Sequence, residues 1–198
     1  MSVQTIGKHK ITNASIESPL VDRMLAGEKI NVIYSDPPWG DGNLKYWATM
    51  NKKMTGEEFN PLSYSDLLNR IVSLIKNYVD GWAFIETGLR WEAEAVASLG
   101  SVLHGITTHK IYYNQTLPNI LIAGHTSKGY TWDFDPSGFM DQKLVTEVLK
   151  SVCKENDIVL DPCCGMGWTA QACVNLNLVF RGNEFNKKRL EKTIARLK

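Results

Sequence analysis

No apolar run in this sequence approaches the ~20 residues that a helix needs to cross a bilayer, so no membrane-spanning helix is expected. The first residues, Met1-Ser2-Val3-Gln4-Thr5, lack the charged and apolar regions of a secretory leader, and a cytoplasmic location is expected. A charge of one sign is also missing. Lys and Arg number 22 against 21 Asp and Glu, a net charge of +1, so no global field draws the protein onto a polyanion. Any affinity for nucleic acid must be local or borrowed from a partner. The four cysteines, Cys153, Cys163, Cys164 and Cys173, form no C-x-x-C pair, and no histidine stands at metal-ligand spacing. They read as free thiols in a reducing compartment, with no metal site expected. Repeats, low-complexity tracts and interdomain linkers are absent as well, and 198 residues suffice for one domain, 1–198, with a sizeable core.

What is present is a mostly alternating series of strand and helix patterns. His9–Thr12 reads as a short strand. Ser18-Pro19-Leu20 opens a helix, with a capping serine and proline in the first turn, that runs through Leu25 and stops at Gly27. Ile30–Ser35 is an apolar strand. Gly40–Gly56 shows no clear period and reads as a long loop, in which Tyr46, Trp47, Lys52 and Lys53 are candidate contacts to a base and a phosphate. Asp66–Val79 places Leu67, Leu68, Ile71, Leu74 and Ile75 on one helical face. Then follow strand Trp82–Glu86, helix Trp91–Leu99, and two β-like runs, Thr107–Tyr113 and Asn119–Ala123, separated by a turn containing Pro118. A polar loop Gly124–Gly138, helix Phe139–Lys154, strand Ile158–Leu160, helix Trp168–Asn175, strand Leu178–Glu184 and a basic helix Lys187–Lys198 close the chain. Seven candidate strands, mostly alternating with helices, predict a mainly parallel α/β sheet.

Two stretches carry chemistry. In the first, the strand ends in Asp36-Pro37-Pro38-Trp39. The prolines stop the strand, so a carboxylate, a rigid turn and a large aromatic meet at its carboxyl end, where open α/β sheets bind ligands. Asp36 accepts hydrogen bonds, the Pro37 carbonyl is a second acceptor on a fixed backbone, and Trp39 offers a face for a planar ring, worth roughly 1–3 kcal/mol per stacked base. Two acceptors and a stacking face suit an exocyclic amine on a nucleobase. Alone, the tetrad also fits a plain strand-ending turn with Trp39 in the core.

In the second, strand Ile158–Leu160 runs into Asp161-Pro162-Cys163-Cys164-Gly165-Met166-Gly167 and then a helix. Gly165, Gly167 and Ala170 make a G-x-G-x-x-A pattern, and Glu184 ends the next strand 23 residues after Asp161, the place of an acid that binds ribose hydroxyls. Asp161 would repel phosphates but attract a sulfonium or ammonium, which favours S-adenosylmethionine over a dinucleotide. Cys163 and Cys164 read as small wall residues, since nothing nearby in sequence would activate a thiol.

Together the two stretches resemble the amino-methyltransferases that use S-adenosylmethionine to methylate exocyclic amines of nucleobases. The resemblance implies a class I methyltransferase fold, a Rossmann-like, seven-stranded, mostly parallel α/β sheet with one antiparallel hairpin strand and helices on both faces, in the circularly permuted order called the β class, since the tetrad precedes the glycine loop. It also implies that the strands before Asp36 and Asp161 are neighbours. It assigns Asp36, Pro37, Pro38 and Trp39 to catalysis. It assigns Ser15, Asp36, Asp161, Pro162, Cys163, Cys164, Gly165, Gly167 and Glu184 to the cofactor. Phenylalanine is usual where Cys163 stands, and aspartate where Ser15 stands. Phe139–Leu144 stands where the family's helix borders the methionine moiety. Adenine N6 in DNA is the first expectation, because such enzymes begin the tetrad with Asp where cytosine N4 enzymes more often have Ser. RNA adenine, cytosine N4 and a non-catalytic subunit of a methyltransferase complex are the alternatives, while glutamine methylation usually takes Asn at that place. No separate target-recognition domain is evident, so a second copy or a second subunit is expected to supply DNA-binding surface. Lys187, Lys188, Arg189 and Arg196 read as a solvated basic face.

Overall fold

The structure, a computed structural model, describes residues 2–113 and 117–198. Its core is one sheet in the order β1 (Gln4–Ile6), β2 (His9–Thr12), β8 (Val179–Asn183), β7 (Ile158–Asp161), β3 (Ile30–Ser35), β4 (Val79–Gly88), β6 (Leu117–His125), β5 (His104–Tyr113). The run from β2 through β8, β7 and β3 to β4 is parallel; β1 on one side and β6 and β5 on the other are antiparallel. The sheet therefore has eight strands among the described residues, not the expected seven. The extra one, β1, is a three-residue edge strand with mostly exposed side chains, too short and too polar to carry a period.

The central strands read as continuous apolar runs because both faces are covered. Ile33, Ile85 and Leu160 face one core with α1 (Pro19–Leu25), α3 (Tyr64–Tyr78) and α4 (Glu92–Leu99). Val32, Tyr34, Phe84 and Val159 face the other, with α5 (Asp141–Val152), α6 (Trp168–Asn175) and α7 (Lys187–Arg196). Ser18 caps α1 as expected, its Oγ accepting from Leu20 N with Pro19 at the first position, and at the start of α3 Ser63 Oγ accepts from Asp66 N.

Three local expectations are corrected. Gly40–Gly56 is no loop: residues Gly40–Thr55 form helix α2. Its inward stripe is Gly40, Leu44, Trp47 and Asn51, at helical spacing but mixed in polarity. Gly40 is required there, since its φ is +76° and a Cβ would lie 2.3 Å from the Trp91 ring. Pro118 lies within β6, opposite Tyr112, rather than in a turn; residues 114–116 lie outside the described residues. The segment read as a polar loop begins in β6, and its Trp132 is buried against Phe84 and His109, ring centroids 4.9 Å away in each case.

Candidate active site

Strands β3 and β7 pair directly, Val32 with Val159 and Ile33 with Leu160, so the Asp36 and Asp161 turns emerge side by side at the carboxyl edge of the sheet. Both line one cavity of about 430 Å³, as do Pro37, Pro38, Trp39, Ser15, Pro162, Cys163, Cys164, Gly165 and Glu184. Gly167 stands apart. It caps α6 with φ +83°, and a Cβ there would lie 2.8 Å from Thr193 Oγ1, so packing against α7 is what demands glycine. Of α5, Val145 lines the cavity, one residue past the Phe139–Leu144 segment.

Asp36 is half-buried, and the Trp39 indole N–H donates to its Oδ1 at 3.0 Å. Trp39 in turn lies on Gly88, where a Cβ would come within 3.3 Å of its ring. Burial pushes the Asp36 carboxyl up to about 6, against the opposing pull of the Trp39 hydrogen bond and the Arg189 charge. Asp161 is only 4% exposed and accepts from Ser35 Oγ at 3.3 Å, Cys163 N at 3.1 Å and Thr169 Oγ1 at 2.6 Å. Burial raises it to about 7, partly offset by those donors. Asp161 also has a structural role: it pins the glycine turn to the start of α6.

Glu184 Oε2 accepts from Gly165 N and Oε1 from Asn186 N, both at 2.8 Å. Each oxygen keeps a lone pair for a ligand hydroxyl. Asn183 ties the parts together, donating to the carbonyls of Ala14 and Pro162 at 3.1 Å each and accepting from Thr12 Oγ1 at 2.8 Å. Burial lifts the Cys163 and Cys164 thiols well above the ordinary value, which agrees with wall residues rather than nucleophiles.

Three lining residues were not legible as site residues. Glu86 on β4 is buried, accepts from Tyr34 OH at 2.7 Å and Asn119 Nδ2 at 2.8 Å, and is pushed up to about 8 by burial and by Asp36. It reads in sequence as the polar end of an apolar strand. Arg189 leaves the expected solvated face: Lys187 and Lys188 are exposed, but Arg189 turns inward, its guanidinium 4.0 Å from the centre of the Trp47 ring. Asn186, beside it, bonds Asn51 Oδ1 of α2 at 2.9 Å. Of the α2 candidates, Trp47 lines the cavity, Lys52 pairs with Glu58, and Tyr46 and Lys53 are exposed.

Among the described residues no helix is long and apolar enough to cross a membrane, and no cluster of His, Cys, Asp and Glu could hold a metal ion. No curated protein matches the chain. Among solved structures, the M1.HpyAVI–SAM complex is similar at 18% identity, covering 94% of this chain and 98% of that one, with a TM-score of 0.70. The cytosine-N4-specific PvuII DNA methyltransferase is similar at 10% identity over 97% and 87%, TM-score 0.67. TTHA0409 of Thermus thermophilus, complexed with S-adenosyl-L-methionine, is similar at 11% identity over 96% and 93%, TM-score 0.65. These likenesses establish a shared fold. Residues 139–196, which carry the glycine turn and Glu184 but not the Asp36 turn, match the N6/N4 methyltransferase family model, described as DNA methylase.

Proposed function

We propose that this protein is an S-adenosylmethionine-dependent methyltransferase acting on an exocyclic amine of a nucleobase in DNA, with adenine N6 as the first target. The observation that carries the reading is the meeting of the Asp36 turn and the glycine turn, on paired strands, in one cavity. The order of the two turns along the chain is the one the β class has. The likeness to the two S-adenosylmethionine complexes and the match of residues 139–196 to a DNA methylase family support it. Domain 1–198 is taken as one methyltransferase unit, with a second copy or a partner subunit helping to hold DNA.

The cavity fits the cofactor. Its volume is within the range of small-molecule sites, about 300–1,000 Å³. Its acidic lining, in which Asp36 stays ionised at neutral pH, suits a ligand that carries a sulfonium and an ammonium. When bound, S-adenosylmethionine supplies an electrophilic methyl group. Glu184 would hold the ribose, the Gly165 turn would approach the adenosine closely, and Ser15 would border the adenine. Asp36 and the Pro37 carbonyl would each accept a hydrogen bond from the target amine, localising its lone pair and offsetting the positive charge that grows on nitrogen. The Trp39 N–H fixes the Asp36 carboxylate in place while the ring presents a face to the base. A base stacked in a duplex would have to leave its stack to reach Asp36 in this cavity.

The test is mass spectrometry of nucleosides from DNA and from RNA after incubation with the protein and cofactor. N6-methyladenosine of the deoxy series is the expected product. N4-methylcytosine would move the assignment toward the PvuII-like specificity, a methylated ribonucleoside would move it to RNA, and no product from any polymer would overturn it.

A further inference from the structure

Arg189 is the one basic side chain lining the cavity among the described residues, against five acids. It also differs from Arg70 and Arg181, two other arginines that are at least partly buried. Arg70 donates to Asp22 and the Ile16 carbonyl, and Arg181 donates to Glu28 and to the carbonyls of Lys8 and Phe180. The Arg189 guanidinium has no hydrogen-bond or ion-pair partner among the described residues, although it is half-buried. It is nevertheless held. Its Cζ lies over the Trp47 ring, 4.0 Å from the centroid, Asn186 Oδ1 accepts from its backbone N–H at 3.1 Å, and Nη1 sits 3.8 Å from where a Cβ on Gly165 would be. A guanidinium stacked on an indole keeps its N–H edges free, and those edges match the two oxygens of a carboxylate or phosphate.

We propose that Arg189, oriented by Trp47, is the oxyanion subsite of this cavity and takes the α-carboxylate of the cofactor's amino-acid tail. The inference rests on the cofactor reading above. The five acids disfavour a polyanion reaching this depth, whereas an amino-acid tail brings its own ammonium for them and one carboxylate for Arg189. Trp47 belongs to α2, so the helix that follows the Asp36 turn also completes the cofactor's seat.

The test is calorimetry with the full chain, comparing S-adenosylmethionine with its decarboxylated analogue. Wild-type protein should prefer the carboxylate form. Arg189→Gln should weaken S-adenosylmethionine by about 10- to 100-fold, the worth of hydrogen bonds to a charged group, and the analogue by less than about 3-fold. Arg189→Lys, which keeps the charge but loses the fork, should fall between. Equal loss for both ligands would make Arg189 a packing residue and overturn the proposal. So would a wild-type protein that binds both ligands alike, an outcome that needs no variant to fold. Unchanged cofactor affinity with a raised KM for DNA and a shallower salt dependence would assign the oxyanion to a DNA phosphate and overturn the carboxylate. A wild type that binds neither ligand would instead fail the cofactor reading, and this inference with it.

Discussion

The molecule contains two aspartate–proline turns on paired parallel strands, and their carboxylates are held differently. Asp161 is nearly inaccessible and accepts three hydrogen bonds, while Asp36 is half-buried and accepts one, from Trp39. Part of the difference lies two residues downstream of each acid. Cys163 folds its N–H back onto Asp161, closing a local turn around the carboxylate. The equivalent residue after Asp36 is Pro38, which has no N–H to return. A second proline therefore leaves the Asp36 carboxylate with acceptor capacity that its own backbone cannot consume.

The sharpest break in this contrast is removal of each acid in turn. Asp36→Ala should lower methyl transfer on the order of 10³-fold or more, because an oriented acceptor for the developing charge is lost. Its affinity for S-adenosylhomocysteine should stay within about 3-fold and its thermal midpoint nearly unchanged; retained radiolabel transfer would refute the assignment. Asp161→Ala should do the reverse in kind. It strands the Thr169 hydroxyl and the Cys163 N–H in a buried site, for a loss of roughly 3 kcal/mol in urea unfolding, with cofactor affinity falling alongside. A stable Asp161→Ala protein with full cofactor affinity would remove its structural role.

Pro38→Ala tests the cause. It restores an N–H that can reach Asp36, as Cys163 reaches Asp161. The carboxylate would then be partly consumed, and the rate should fall about 10-fold with stability little changed. The pH profile should shift with it. Asp36 must be ionised to accept from the amine, so wild-type rate should rise with pH through about 6. The added N–H stabilises the ionised form, so the variant's inflection should move lower. Stability runs the other way. Asp36, Asp161 and Glu86 are raised to about 6, 7 and 8 in the folded protein, above ordinary carboxylates near 4. The folded state holds more protons than the unfolded one across that window, so the thermal midpoint should decline from about pH 4 to about pH 8. A midpoint that rises over this range would contradict the burial of all three.

Much of this edge of the sheet was legible because its signals are local. Ile30–Ser35 and Trp168–Asn175 have the expected bounds, fixed by apolar runs against prolines and glycines. Ser18 caps where its residue type and Pro19 require. The parts that were not legible face the cavity. Helix α2 hides its period because Trp47 and Asn51 look onto a polar space instead of aliphatic core, so hydrophobicity does not mark the stripe. Arg189 sits beside two solvated lysines, and only the fold turns it inward. Gly167 was legible as a glycine that had to be glycine, but the neighbour imposing it is Thr193, distant in sequence.

The smallest effect is expected at the atom joining the two turns. Ser35 immediately precedes Asp36, is fully buried, and donates through Oγ to Asp161 Oδ1 at 3.3 Å. The bond is long, and Asp161 keeps the donors Cys163 N and Thr169 Oγ1 when it is removed. Ser35→Ala should therefore cost about 1 kcal/mol or less in unfolding free energy. If the turns serve separate ends, the rate should stay within about 3-fold. A fall of 30-fold or more with so small a loss of stability would mean that Asp161 holds Asp36 in register through Ser35, and that the structural turn acts in the chemistry of the other.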